Sequence, residues 1–330
     1  MAAPRRIFLT GATGFIGGRL AKAFAERGDR LLCLARSPAR AGPLEALGAE
    51  IISGEITDAI ALARGLAGAD LAIHIAAKYS IGPGNVRDME RINVSGTRCL
   101  LEEAARAGTP RLVHVSSTVA LGPSDAPPTG DPCAAWGGPH PTAYHRTKAE
   151  AHAAVRQAQA RGQPAIIVCP ANVYGPGDEG PNAGFIRDLL RGRLPALPTQ
   201  PGRFSWVHVD DVAAGIVAAA DRGDPGACYV LGGELATLNE FAVQVTALAG
   251  RRPPPLRLPV GVIRATGMAL DLVSAATRLR FTISRESVDA TTRHDWVHDH
   301  AATSRALGWT PRPLSDGLPG TVQWFREHPG

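Results

Sequence analysis

Apolar and polar positions alternate regularly from residue 6 to about residue 170. Short apolar runs of strand length are separated by helix-length, alanine-rich stretches. The apolar runs read RIFLT, RLLCLA, AEIIS, LAIHIAA, RLVHVSS and AIIVCP. Nearly continuous apolar strands are typical of a parallel sheet whose two faces are both covered by helices. The pattern therefore predicts an α/β fold built on a doubly wound parallel sheet.

The pattern changes after Pro170. Loops rich in glycine and proline come first, followed by helical segments and brief strand-like pieces. One helical segment opens with Thr237 and Glu240, which have the spacing of a capping box. We expect residues 1–170 to form the sheet domain and residues 171–330 to form mainly a smaller, mixed substrate-binding lobe. Some strands and helices of this lobe should return to the sheet.

The segment Val260 to Leu279 is the most apolar helical candidate in the chain. A helix of this kind could lie on a membrane surface, but Arg264, Asp271 and Arg278 interrupt it. We expect instead that it roofs a pocket. No run approaches twenty uncharged apolar residues, so we expect no stable membrane insertion.

Composition and charge exclude some classes of protein. The chain has 330 residues, 45% of them hydrophobic and 20% charged, which is typical of a soluble globular protein. The net charge of +5 comes from 35 basic and 30 acidic residues. The basic residues are scattered rather than gathered in a stripe, and we therefore expect no nucleic-acid partner.

The five cysteines are odd in number, widely spaced and mostly found in apolar segments. Thiols in such positions behave as small hydrophobic groups, and this usage indicates a reducing compartment. The residues before the first strand contain no apolar signal core. We therefore expect a cytoplasmic location.

A glycine trio marks the junction of the first strand and the first helix. Gly11, Gly14 and Gly17 lie in TGATGFIGGRLAKAF, directly after the strand. Glycines there allow a tight turn, a close approach to a pyrophosphate and close packing of the helix on the sheet. The helix N-terminus offers free N–H groups to phosphate. The context therefore predicts a dinucleotide site of the Rossmann type.

The end of the second strand indicates which dinucleotide is bound. A carboxylate there would accept hydrogen bonds from the adenosine ribose, but the chain reads LLCLARSPAR, with Arg36 at the strand end. A guanidinium suits a 2′-phosphate, so NADP(H) is favoured and NAD(H) remains the alternative. Glu55 and Ile56, after the third strand, should lie along the adenine.

Tyr144 and Lys148 are four residues apart in a predicted helix, in a chain with four tyrosines and three lysines. Side chains with this spacing share one helix face. An ammonium about 5 Å away favours a phenolate by roughly 3 kcal/mol at an effective dielectric constant of about 20. We therefore expect a lowered pKa for Tyr144, toward the range useful in acid-base catalysis. The alternative is an ordinary surface helix turn.

Hydroxyl and amide groups accompany this pair. Ser116, Ser117 and Thr118 end the fifth strand, and the carboxyl ends of such strands are where open α/β sheets bind ligands. Asn93 lies in an otherwise apolar helix, where an amide is disfavoured unless it has a specific partner.

Several motifs together resemble the extended short-chain dehydrogenase/reductase family. TGATGFIG, HIAA, NVSGT, VSS and YHRTK occur in the family's order, and PANVYGPGD, FSWVHVDDVAAG and LGWTPRP match its epimerase/dehydratase branch. The resemblance covers nearly the whole chain. LARSPAR, HIAAKYS and CYVLGG are most similar to dihydroflavonol-reductase-like and hydroxysteroid-dehydrogenase-like members. That subgroup implies NADP(H) and carbonyl reduction.

The resemblance implies a role for individual residues. Tyr144 would be the general acid-base, Lys148 would bind the nicotinamide ribose, Ser117 would bind the reacting oxygen, and Asn93 would complete the catalytic set. The predicted cofactor-binding residues are Gly11, Thr13, Gly14, Phe15, Ile16, Gly17, Arg36, Glu55, Ile56, Ala76, Ala77, Tyr144, Lys148, Pro170 and Val173. The predicted substrate residues are Lys78, Tyr79, Thr118, Asn172 and Arg203.

Two positions depart from the family pattern. Cys169 stands where an arginine usually precedes Pro170, and Thr147 stands where serine is commoner. Neither change removes a catalytic group. Arg203 matches an arginine that sugar-nucleotide enzymes use for substrate phosphates, and it favours the epimerase/dehydratase alternative.

The leading hypothesis is an enzyme, an NADP(H)-dependent carbonyl reductase or alcohol dehydrogenase acting on a small molecule. The alternatives are a sugar-nucleotide epimerase or dehydratase with tightly bound NAD, and a non-catalytic dinucleotide-binding regulator. We expect no metal, because no step needs one, although RHDWVHDH places His294 and His298 one helical turn apart. The resemblance also implies a homodimer. The substrate and the physiological direction are not indicated.

Overall fold

The helices and strands follow the alternation that the sequence predicts. The computed structural model describes residues 3–79, 85–125, 131, 133–277 and 283–329. The strands in this part are β1 (Arg6–Thr10), β2 (Arg30–Ala35), β3 (Glu50–Ser53), β4 (Leu71–His74), β5 (Leu112–Val115), β6 (Ala165–Pro170), β7 (Asn172–Tyr174), β8 (Ala196–Pro198), β9 (Arg203–His208), β10 (Cys228–Leu231), β11 (Glu234–Thr237) and β12 (Leu256–Leu258).

The helices in the same part are α1 (Phe15–Glu26), α2 (Gly42–Glu45), α3 (Ala59–Leu66), α4 (Val86–Met89), α5 (Gly96–Arg106), α6 (Ala143–Ala160), α7 (Pro181–Arg191), α8 (Val209–Arg222), α9 (Leu238–Leu248), α10 (Val260–Thr277), α11 (Arg285–Thr292), α12 (Ala301–Leu307) and α13 (Leu314–Glu327). A π-helical turn, Glu90–Ser95, joins α4 to α5. Short 3-10 turns occupy Pro38–Arg40 and Thr118–Ala120.

A seven-stranded sheet forms the centre of the fold. Its strand order is β10-β6-β5-β4-β1-β2-β3, and every pairing in it is parallel. The order runs outward in opposite directions from β1 and β4. Strands that diverge in this way leave a crevice at their carboxyl ends, which is where doubly wound sheets bind ligands. The predicted fold class is confirmed.

Apolar side chains cover both faces of this sheet. On one face, Leu20 and Phe24 of α1 and Ile216 of α8 pack into one buried cluster with the strands. On the other face, Leu62 of α3 and Val155 of α6 belong to a second cluster. Burial on both faces explains why the strands are almost continuously apolar in sequence.

The remaining strands form two small sheets. One has the order β11-β9-β7 and is mixed, because β11 runs antiparallel to β9 while β7 runs parallel to it. The other pairs β12 with β8. A third buried cluster supports them, and in it Trp206 stacks on Phe241 with ring centroids 3.8 Å apart. The division of the chain at residue 170 stays a prediction, although β10 does pair with β6 of the large sheet.

The cysteines differ from the sequence expectation of separate thiols. Cys133 and Cys228 are joined in a disulfide, with their Cα atoms 6.2 Å apart. Edge strand β10 carries Cys228, and the chain before α6 passes over this edge, which brings residues 95 positions apart together. Cys33, Cys99 and Cys169 are free.

Helix α10 covers the segment that the sequence marks as most apolar. Its described residues end at Thr277, so the last two residues of the predicted segment lie outside the described part of the chain. Among the described helices, none is both long and apolar enough to span a bilayer.

Candidate active site

The turn between β1 and α1 is closed by glycines. Gly11 has a φ of +76°, and a Cβ added to it would lie 2.7 Å from the backbone nitrogen of Ala76. A Cβ on Gly17 would lie 2.1 Å from the carbonyl oxygen of Gly11. Neither position accepts a side chain, because backbone occupies the space. The turn is therefore held close both to α1 and to the end of β4.

A cavity of about 650 Å³ extends from this turn along the carboxyl ends of β2, β3 and β4. It contains most of the residues predicted to bind the cofactor. These are Gly11, Thr13, Gly14, Phe15, Ile16, Gly17, Arg36, Glu55, Ile56, Ala76, Ala77 and Tyr144. We call this cavity the cofactor cleft.

The far end of the cofactor cleft is basic. Arg36 stands exposed at the end of β2, and Arg40 lies 4.0 Å from Glu179. Arg91, which the sequence analysis did not single out, also lines the cleft and forms an ion pair with Glu55. Arg91 belongs to the motif ERIN and lies in the π-helical turn, two residues before Asn93. A π-helical turn has no recognisable sequence pattern, so the sequence could not indicate that Arg91 lines the cleft.

Asn93 has the specific partners that the sequence predicts for an amide in an apolar helix. Its Oδ1 accepts a hydrogen bond from the Lys78 backbone N–H (2.7 Å), and its Nδ2 donates to the Lys78 carbonyl (3.0 Å). Nδ2 also donates to Oγ1 of Thr147 (3.0 Å). Asn93 therefore ties the chain after β4 to α6.

A buried hydrogen-bond chain connects β1 to Asn93. Thr97 Oγ1 donates to the Asn93 carbonyl (2.6 Å), so it accepts from Nε2 of His74 (2.9 Å). Nδ1 of His74 then accepts from Thr10 Oγ1 (2.9 Å), which in turn accepts from the Ala76 N–H (3.4 Å). This order requires a neutral imidazole with its proton on Nε2. Burial lowers the pKa of His74 to about 3, which agrees with that form.

Helix α6 places Tyr144 and Lys148 on one face. Thr142 caps the helix by accepting a hydrogen bond from the His145 N–H. Lys148 is buried and its Nζ donates to the carbonyl of Val115 at the end of β5 (3.1 Å). Burial lowers the pKa of Lys148 to about 8.

The pKa of Tyr144 runs opposite to the sequence expectation. Burial raises it to about 12, whereas we expected the ammonium of Lys148 to lower it. The reason is geometric, because the Lys148 ammonium bonds to the backbone of β5 rather than to the phenol. The ring of Tyr144 also lies against that of Tyr79, with centroids 4.5 Å apart, and this contact removes water from one side.

Ser117 and Ser116 have different surroundings at the end of β5. Ser116 is buried, and its Oγ lies 2.9 Å from Nδ1 of His152. Ser117 is half-buried, with longer contacts to the Pro170 carbonyl (3.5 Å) and the Val119 N–H (3.4 Å). The hydroxyl of Ser117 is therefore the less committed of the two.

A second cavity of about 370 Å³ meets the cofactor cleft. The two share the residues Phe15, Ile16, Ile75, Ala77, Tyr79 and Tyr144. Predicted residues that line the second cavity are Ser117, Thr118, Lys148, Pro170, Asn172 and Val173. We call it the substrate pocket. Its junction with the cleft is at Tyr144.

The far wall of the substrate pocket comes from residues that sequence analysis missed. Apolar and aromatic members are Val119, Phe204, Leu238, Ala290 and Trp296, and polar members are His145, Asp178, Asn182 and Thr291. The apolar members are indistinguishable from core residues in a sequence, because burial against a ligand and burial against protein require the same side chains.

Arg203 lies outside both cavities. Its guanidinium forms hydrogen bonds to Asp295 through Nε (2.9 Å) and Nη2 (2.7 Å), and the side chain is otherwise exposed. Lys78 lines the cofactor cleft and pairs with Asp88 (2.6 Å). The structure therefore does not bring Arg203 to the predicted substrate site.

Comparison with known proteins identifies the family. Residues 7–232 match the model of the NAD dependent epimerase/dehydratase family. The chain belongs to this family. Sterol demethylase protein B of Methylococcus capsulatus is 30% identical over 322 residues, covering 97% of this chain and 98% of that protein. A putative dihydroflavonol 4-reductase of Synechocystis is 27% identical over 330 residues, covering 97% and 94%.

A solved structure gives the same assignment. The dTDP-glucose 4,6-dehydratase of Streptomyces venezuelae, with NAD bound, is 26% identical, has a TM-score of 0.76, and covers 98% of this chain and 97% of its own. These matches confirm the resemblance to the extended short-chain dehydrogenase/reductase family and its dihydroflavonol-reductase-like members. The chain is thus an enzyme of the NAD(P)-dependent oxidoreductase type.

Within the described residues, no group of three or more His, Cys, Asp or Glu side chains is arranged to hold a metal ion. His294 lies 3.3 Å from Asp125, whereas His298 is half-buried and its N–H donates to Ser205.

The buried neutral His74 predicts an acid sensitivity of this family member. The unfolded chain takes up a proton below pH 6.5, but folded His74 does not until about pH 3. The free energy of unfolding should therefore fall by about 1.4 kcal/mol per pH unit for this residue from pH 6.5 downward. The free energy of unfolding, measured with urea at several pH values between 7 and 5, should change with pH less steeply by that amount in His74→Gln than in the wild-type protein. An unchanged slope would contradict the neutral assignment.

Proposed function

We propose that the protein is an NADP(H)-dependent carbonyl reductase or alcohol dehydrogenase that acts on an apolar small molecule. The observation that carries the proposal is the junction of the cofactor cleft with an apolar pocket at Tyr144. An acid-base group at such a junction touches substrate and cofactor together. Bound NADP(H) would supply or accept the hydride.

The residues of the cleft fit a dinucleotide. The glycine turn leaves no room for side chains at Gly11 and Gly17, so its backbone can approach a pyrophosphate closely. Helix α1 begins at Phe15, its first turn contains no acidic residue, and its N-cap, Gly14, makes no side-chain cap. Its N-terminal N–H groups are therefore available to phosphate oxygens.

In the direction of reduction, Tyr144 would donate its proton to the substrate oxygen as the carbonyl carbon gains a hydride. A pKa of about 12 keeps the phenol protonated at neutral pH, which suits a proton donor. Ser117 would donate a hydrogen bond to the same oxygen. Lys148 would bind the nicotinamide ribose, as the resemblance implies, from its position beside the end of β5, where its ammonium donates to the Val115 carbonyl.

Asn93 would hold neighbouring segments of the chain in place and would not contact the substrate. Asn93 holds the backbone of Lys78 and the hydroxyl of Thr147 on α6. These contacts fix the chain after β4, which carries Ala76 and Ala77 along the cleft. The resemblance also implies that Asn93 holds a water near Lys148, and we propose that role as well.

The preference for NADP(H) rests on the end of β2. Arg36 and Arg40 line the cleft there, and no carboxylate ends the strand to bind the 2′-hydroxyl. A guanidinium pairs well with a phosphate dianion. Glu55 also lines the cleft, but it forms an ion pair with Arg91 and follows β3 rather than β2.

The apolar pocket supports an uncharged substrate. Its outer wall contains Phe204, Leu238 and Trp296, and the arginine that would bind nucleotide phosphates, Arg203, is neutralised by Asp295. The name of the Methylococcus relative refers to a sterol. A ketone or secondary alcohol on a rigid apolar skeleton is the substrate class that fits these observations.

A second candidate is a sugar-nucleotide epimerase or dehydratase that retains NAD. It is favoured by the likeness to the Streptomyces dehydratase, which binds NAD. In such an enzyme the same tyrosine and lysine run a transient oxidation without net redox change. Extraction of tightly bound NAD from the purified protein would support this candidate over ours.

We also propose the remaining features that the sequence analysis expects. These are a substrate lobe formed mainly by residues 171–330, a homodimer through the helices around Asn93 and Tyr144, and a cytoplasmic location, in which Cys133 and Cys228 would be kept as thiols. Light scattering of the purified protein tests the dimer directly.

Replacing Tyr144 with phenylalanine tests the reaction. With NADPH and a panel of aldehydes, steroid ketones and flavanonols, the wild-type protein should oxidise NADPH, and Tyr144→Phe should lower kcat by about 10²- to 10⁴-fold because the proton donor is lost. NADPH binding, measured by fluorescence, should persist in the variant. A wild-type protein that oxidises no NADPH with any carbonyl would contradict the proposal.

Replacing Arg36 with alanine tests the cofactor preference. The Kd for NADPH should rise about 10- to 100-fold, as expected for loss of a charge-assisted phosphate contact, while the Kd for NADH should hardly change. Arg30→Ala is the matched control, because Arg30 is exposed at the opposite end of β2. Equal effects on both cofactors would contradict the role of Arg36.

A further inference from the structure

Helix α10 presents an apolar face to solvent. Val262, Met268, Leu272 and Val273 are between 43% and 74% exposed, and Ala265, Ala269 and Ala276 are exposed beside them. At 100° per residue these positions lie on one side of the helix. Of the ten large apolar side chains that are exposed in the described chain, five lie between Leu256 and Val273.

The charged residues of α10 bond to α11. Arg264 Nε donates to Oδ1 of Asp289 on α11 (2.8 Å), and Asp271 accepts the N–H of Arg285 (3.0 Å). Gly267 lies where the two helices meet, since a Cβ there would be 2.7 Å from the backbone of Ser284. The inward side also contains the half-buried Ile263 and Leu270, so α10 is apolar on both sides and exposes one of them to solvent.

Exposed arginines precede this helix in the chain. The chain from Phe241 to Leu270 contains four arginines and no acidic residue. Arg264 is paired, but Arg251, Arg252 and Arg257, just before α10, are exposed. In the described residues, none of these three forms a salt bridge, and Arg257 donates only to the carbonyls of Pro254 and Leu256. The positive charge is therefore available to an anionic partner.

The apolar face also adjoins the substrate pocket. Helix α11, which packs under α10, contributes Ala290 and Thr291 to the wall of the pocket. Burial raises the pKa of Tyr79, which lines the pocket, and the charge of Glu286 on α11 adds to the increase. One helix layer thus separates the exposed apolar face from the place where an apolar substrate would bind.

We infer that the outward face of α10 docks on the surface of an anionic lipid bilayer. Val262, Leu272 and Val273 would enter the boundary between headgroups and acyl chains, and the arginines before the helix would bind lipid phosphates. The helix lies on the bilayer and does not cross it. An apolar substrate dissolved in the bilayer would then reach the pocket with a short path through water.

A second copy of the chain fits this face less well. In a two-fold symmetric dimer the same patch meets itself, and residues 241–270 of a second copy offer arginines and no carboxylate to pair with the arginines of the first. Like charges brought together in this way oppose association. The charge pattern therefore favours a bilayer over a second copy.

Flotation with lipid vesicles tests the inference. The full-length protein should float with vesicles of equal phosphatidylcholine and phosphatidylglycerol in 0.1 M salt, and float much less with phosphatidylcholine alone. Leu272→Glu with Val262→Glu should lower the bound-to-free ratio at least about 10-fold. Replacing Arg251, Arg252 and Arg257 with glutamine should lower it by about 100-fold on the anionic vesicles, at about 1 kcal/mol per charge.

Ile60→Glu is the matched control. Ile60 is 77% exposed on α3, close to the 74% exposure of Leu272, and should float like the wild-type protein. Thermal unfolding of each variant checks that the fold is retained, and the assay needs no substrate, so its outcome is independent of the proposed reaction. Absence of flotation for the folded wild-type protein, or an equal loss in Ile60→Glu, would overturn the inference. A dimer that dissociates in the Leu272→Glu variant would overturn it in favour of a second copy.

Discussion

The close approach of the β1–α1 turn to the end of β4 is the constraint on which the site depends. Gly11 has no room for a Cβ because the backbone of Ala76 fills that space, and Gly17 has none because of Gly11. This contact requires β1 and β4 to be neighbours, which the parallel order of the sheet provides. With the turn fixed, the cofactor cleft and the substrate pocket can meet along shared residues that include Tyr144.

Burial, rather than local charge, sets the proton affinities around this junction. It raises the pKa of Tyr144 to about 12 and lowers those of Lys148 and His74 to about 8 and about 3. Neutral His74 can therefore bridge Thr10 and Thr97, and the chain continues to Asn93 and Thr147 on α6. These hydrogen bonds connect β1 to the helix that carries Tyr144, and the side chains that form them are buried away from water.

The sheet and the glycine turn could be predicted from sequence because periodicity and glycine placement are local properties. The sequence predicts that Asn93 has a specific partner but does not identify it, because the partners come from the chain after β4 and from α6. The pocket wall of Phe204 and Trp296, and the pairing of Arg203 with Asp295, could not be predicted. They depend on contacts across about ninety residues, which no sequence pattern reports. The lowered pKa expected for Tyr144 was wrong because the direction of the Lys148 side chain is a tertiary property.

In the proposed reaction, hydride leaves the cofactor for an apolar carbonyl compound and is not returned to it. Incubating the protein with NADPH that carries deuterium at the transferable C4 position, and with steroid ketones, tests this claim most directly. Mass spectrometry of the product should find one deuterium on the carbinol carbon, with one NADP⁺ formed per alcohol. Recovery of unlabelled ketone with unconsumed NADPH, together with inversion or dehydration of a sugar nucleotide by protein-bound NAD, would contradict it.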